Sequence, residues 1–109
     1  MTETGFVSID VLSDLNQKQL NELLKQLLPE FKWRMGDSDM QGPYISGMNS
    51  DYISIKFWLG ESPVRVSVSF RGAWAALTDR DQRIQRFMET FNTTILPPIG
   101  KAVKTKFGD

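Results

Sequence analysis

The sequence predicts an α+β fold, a two-layer sandwich in which a mainly antiparallel four-stranded sheet carries both helices on one face. Three observations carry this expectation. A leucine stripe ends at Pro29, two strictly alternating segments flank a four-residue turn, and a second amphipathic segment stops at Pro97-Pro98. The links between these segments are short, which favours antiparallel neighbours over parallel crossovers.

Phe6 to Val11 alternates, with Val7, Ile9 and Val11 on one side, and allows a short N-terminal strand or an ordered extended arm. Leu20, Leu23, Leu24, Leu27 and Leu28 then repeat at three-and-four spacing, giving a helix over Asn16 to Leu28. Asn16 and Gln19 have the spacing of a capping box, and the residue before Pro29 disfavours helical geometry. Phe31 to Met35 alternates large apolar side chains, expected to point inward, with Lys32 and Arg34. Tyr44 to Met48 is a short strand interrupted by Gly47. Tyr52 to Leu59 and Val64 to Arg71 are rich in aromatic and β-branched residues, and Gly60 to Pro63 supplies the hairpin turn. The last helix is expected to begin near Thr78, in capping-box relation to Asp81, with Ile84, Phe87, Met88, Phe91 and Ile95 inward. Residues 99–109 form a basic C-terminal tail whose pattern assigns no structure.

At 109 residues the chain is long enough for one domain over 1–109 and too short for two. It has no cysteine and no histidine, which excludes thiol nucleophiles, histidine bases and Cys/His zinc sites. No cofactor and no metal are expected. Gly36-Asp37-Ser38-Asp39 offers two carboxylates but reads as a solvated turn, since it lacks the further ligands of a calcium loop. Neither a Gly-x-Ser-x-Gly elbow nor a Walker-type loop is present, so the expectation is a non-enzymatic protein. The N-terminus shows no signal-peptide pattern, and a cytoplasmic protein without membrane contact is expected. Trp74 reads as a core plug, and Arg80, Arg83 and Arg86 as a solvated helix face.

Thirteen basic residues balance thirteen acidic ones, so the charge arrangement carries the functional argument. Counting outward from the turn pairs Ile53, Ile55, Phe57 and Leu59 with Phe70, Val68, Val66 and Val64 on a core side. The same register sends Trp58 and Arg65, Lys56 and Ser67, Ser54 and Ser69, and Tyr52 and Arg71 to the opposite side, with Lys32 and Arg34 joining them. Asp37, Asp39, Asp51 and Glu61, the acids between residues 32 and 71, are expected in turns.

A face with Lys32, Arg34, Tyr52, Lys56, Trp58, Arg65 and Arg71 is expected to dock on another protein, an acidic one, in the manner of inhibitors, adaptors, immunity-type proteins or chaperones. An alternative is single-stranded nucleic-acid binding, against which the zero net charge argues. Pairing of two copies through this face is a third reading. The bland alternative is a set of cross-strand cation–π pairs that keep an exposed sheet soluble.

Overall fold

A computed structural model describes residues 3–11, 15–61, 63–70 and 79–107. In chain order they form β1 (Glu3–Val11), α1 (Gln17–Leu27), β2 (Lys32–Ser38), β3 (Gly42–Met48), β4 (Ile53–Trp58), β5 (Val64–Phe70), α2 (Arg80–Thr90), a π-helical turn (Phe91–Ile95) and β6 (Gly100–Phe107). The strands make one six-stranded sheet in the order β2-β3-β4-β5-β1-β6, every neighbouring pair antiparallel.

The α+β class is as expected, but the sheet has six strands rather than four. The N-terminal segment is a nine-residue strand inserted between β5 and β6. The basic tail is strand β6, paired along β1. Both pairings join distant parts of the chain, and periodicity in a local window carries no information about them. β6 also contains a bulge between the pairs Ser8–Lys104 and Ile9–Ala102, where Val103 is the extra residue, and this breaks the alternation that would mark a strand.

The helices form where the spacing places them. Asn16 caps α1, its Oδ1 accepting from the Gln19 amide at 2.9 Å while Gln19 Oε1 accepts from the Asn16 amide at 3.0 Å. Leu20 and Leu24 of α1, Ile84 and Met88 of α2, and Phe91 and Ile95 of the π-turn join one buried cluster. The sheet contributes Ile9, Ile45, Ile53, Ile55, Phe57, Val66, Val68 and Phe70 to it, all of one strand parity. Both helices therefore cover the same side of the sheet. Each fully buried aliphatic or aromatic side chain contributes about 1.5–3 kcal/mol to this layer.

Several local details differ from expectation. Helix α2 begins at Arg80, and its N-cap Asp79 makes no side-chain cap bond; its carboxylate instead accepts from Arg83 Nε at 2.9 Å. Thr78 and Trp74 lie outside the described residues. Asp37 is in β2, opposite Pro43, rather than in a turn. Met35 shares the core-side parity but is 45% exposed at the sheet edge.

Candidate functional site

The β4–β5 register is the one the turn length dictates: Ile53–Phe70, Ser54–Ser69, Ile55–Val68, Lys56–Ser67, Phe57–Val66 and Trp58–Arg65. Burial follows it, with Ile53, Ile55, Phe57, Val66, Val68 and Phe70 buried and every alternate residue between them half-exposed. Extending the pairing to β2 and β3 adds Lys32, Arg34, Tyr44, Ser46 and Met48 to the outer side, none of them buried.

The structure thus brings together Lys32, Arg34, Lys56, Trp58 and Arg65. Tyr52 does not join them. It precedes β4 with φ at +64° and is 58% exposed. Asn49 pins the turn, its Oδ1 accepting from the amides of Asp51 and Ile53, while the Tyr52 amide donates to the Asn49 carbonyl at 3.2 Å. The left-handed backbone of Tyr52 breaks the strand parity and places its side chain at a groove of about 650 Å³ lined also by Leu28, Arg83, Arg86 and Phe87. Arg71 lies outside the described residues.

Tyr44 takes the aromatic role on the outer face. Its ring is 6.1 Å from that of Trp58, and the Lys56 ammonium lies over both, 4.3 Å from the Tyr44 centroid and 4.1 Å from that of Trp58. The Arg65 guanidinium is 5.5 Å from the Trp58 ring, and its Nε donates to Glu61 at 3.1 Å. Tyr44 lies flat because its cross-strand partner is Gly36; a Cβ there would run into the phenol ring. The same device recurs on the inner side, where Trp33 lies on Gly47 and its Nε1 donates to the Leu28 carbonyl at 3.1 Å. Two glycines that weaken the sequence signal for these strands are thus seats for aromatic rings.

The tail enlarges the face. Lys101 pairs with Asp10, Lys104 with Ser8 and Lys106 with Phe6. Ser8 and Asp10 flank buried Ile9, so Asp10 and its exposed partner Lys101 are on the outward side. The bulge at Val103 shifts the register, so that Lys101 pairs with Asp10 while the backbone of Lys104 pairs with that of Ser8. Among the strand residues whose side chains are described, the outer face carries Lys32, Arg34, Lys56, Arg65 and Lys101 against the single carboxylate of Asp10. Lysines and a bulge are ordinary defences of a sheet edge, which accounts for the cations on β2 and β6. It does not account for Lys56 and Arg65, which stand on interior strands.

Among the described residues no group of three or more acids is placed to hold a metal ion, and no helix is long and apolar enough to cross a membrane. The chain matches no family model, no curated protein and no solved structure.

Proposed function

We propose that this protein is a small non-enzymatic binding module that docks on an acidic protein through the outer face of its sheet. One observation supports the reading above all: among the described side chains, a chain of zero net charge collects five cations and one carboxylate on the outward positions of a single sheet. Such segregation steers an acidic surface into one orientation and gives it register. Trp58 and Tyr44 supply the anchors, since aromatic and arginine side chains dominate interface energies.

The same face suits a nucleic acid less well. Base stacking needs open ring faces, and Lys56 and Arg65 already stand over the Trp58 ring, with Lys56 over Tyr44 as well. The Lys56 ammonium remains presented to a carboxylate-bearing partner, while Arg65 is already bonded to Glu61.

Fluorescence anisotropy with two labelled probes tests the reading: an oligoglutamate of about twenty residues and a single-stranded oligothymidylate of equal charge. The oligoglutamate binds the wild type more tightly, and Trp58→Ala or Arg65→Ala weakens it about tenfold, equivalent to about 1.4 kcal/mol. Tighter binding of the oligonucleotide, with a steep fall in raised salt, replaces this reading by the nucleic-acid one. Binding of neither probe means that the face is only solvated.

A further inference from the structure

Strand β2 stands at one edge of the sheet and is paired on one side, with β3. Which of its residues turn their backbone groups to the open side follows from β3. The Leu59 amide donates to the Pro43 carbonyl at 3.0 Å and the Asn49 amide to the Ile53 carbonyl at 3.1 Å. Pro43 and Asn49, and with them Ile45 and Gly47, therefore face β4. The residues between them, Gly42, Tyr44, Ser46 and Met48, face β2 and meet its Ser38, Gly36, Arg34 and Lys32. That leaves the amides and carbonyls of Trp33, Met35 and Asp37 directed at the open edge. The β2–β3 register runs without a bulge and β2 contains no proline, so this edge is an unbroken template, with the exposed Met35 at its middle.

We propose that a second copy of the chain binds this edge, its β2 antiparallel to the first about a two-fold axis at Met35, so that the two sheets become one. Met35 then meets its own counterpart and Trp33 meets Asp37 of the second copy, with about six backbone hydrogen bonds exchanged. Charge selects the orientation. Lys32 and Arg34 stand in the first half of β2, Asp37 in the second and Asp39 just beyond, so the antiparallel arrangement lays each cationic half along the other copy's acidic half. Side chains select the register. Arg34 falls opposite the second copy's Gly36, over which that copy's Tyr44 ring lies, and its guanidinium rests against the ring. Sliding by two residues one way sets Arg34 opposite Arg34, a like-charge pair. Sliding the other way sets Gly36 opposite Gly36, and the two overlying Tyr44 rings collide. Lys32 and Arg34 thus guard the edge against other pairings and admit this one. The exposed Met35 side chains cover each other, and the two outer faces fall on the same side of the joined sheet. The pairing goes beyond the docking function and does not depend on it.

Sedimentation velocity of the intact chain over a range of concentrations tests this. The mass rises with concentration toward about 25 kDa, twice the 12.5 kDa of one chain. Met35→Pro removes an amide that β3 does not use, and it weakens the dimer about tenfold or more. Asp37→Lys, which sets a cation beside Lys32 and Arg34 of the second copy, weakens it in the same direction. Far-ultraviolet circular dichroism verifies that both variants keep the fold. Because the chain has no cysteine, single replacements report the register. Met35→Cys forms a disulfide-linked dimer under mild oxidation, the two α-carbons being about 5.5 Å apart. Lys32→Cys, about 20 Å from its counterpart, does not. The mass of one chain at every concentration overturns the inference. So does a dimer that neither Met35→Pro nor Asp37→Lys weakens, or cross-linking at Lys32→Cys in preference to Met35→Cys, since each places the contact elsewhere.

Discussion

The Lys56 ammonium stands 4.1 Å from the centre of the Trp58 ring, two residues along the same strand and on the same side of the sheet. This contact fixes the most prominent aromatic of the outer face and orients a cation beside it. A cation over an indole contributes about 0.5–1 kcal/mol at an exposed site. Trp58→Ala should therefore lower the unfolding free energy by about 1–2 kcal/mol, counting the Arg65 contact as well, without loss of the fold. A double-mutant cycle of Trp58→Ala with Lys56→Met in urea denaturation should give a coupling of about 0.5–1 kcal/mol; additive effects would mean that the contact contributes nothing.

Tyr52 occupies a left-handed backbone position that glycine adopts without strain. Tyr52→Gly should raise the stability by about 0.5–1 kcal/mol, the relieved strain outweighing the greater freedom of glycine in the unfolded chain. Because Tyr52 is off the outer face, the same variant should bind oligoglutamate as the wild type does. Thermal melts and anisotropy check the two halves separately.

How far the sequence could be read follows from which signals are local. The β4–β5 pairing from Ile53–Phe70 to Trp58–Arg65 was legible, since an unbroken alternation and a short turn fix its register, and with it the placement of Lys56, Trp58 and Arg65. Helix α1 was legible from its cap and its leucine stripe. Tyr52 was misplaced because alternation continues through it in the sequence, whereas the Asn49 turn reverses the backbone there. Tyr44 was overlooked because Gly36 and Gly47, which lower strand propensity, act by receiving rings from the neighbouring strand. The lysines of β6 could not be placed at all: a bulge hides the strand period, and the partner strand lies almost a whole chain length away.

Gly47 is buried beneath the Trp33 ring, where a Cβ would overlap indole carbons. Gly47→Ala should cost about 1–3 kcal/mol, the usual penalty for overfilling a packed layer. Urea denaturation monitored by tryptophan fluorescence measures it, and an unchanged midpoint would show that the indole moves aside freely.

The bond from Arg83 holds the Asp79 carboxyl below its ordinary pKa of 3.8, with the guanidinium charge adding to the effect. A carboxyl with a depressed pKa in the folded state stabilises fully above its ordinary value, and the contribution disappears as pH falls through the lowered one. Asp79→Asn should therefore flatten the acid limb of the stability profile below about pH 4. Thermal midpoints of both proteins from neutral pH downward check this, and the difference should shrink in salt because the pair is exposed.

The most direct test of the docking face is a titration of isotope-labelled protein with oligoglutamate, followed by amide and indole chemical shifts. Shifts concentrated at Ser46, Lys56, the Trp58 indole, Arg65 and Ser67, with Leu24 and Met88 on the helical side unmoved, are the expected result. Saturable shifts centred on α1 and α2, with the outer strands silent, would contradict the account.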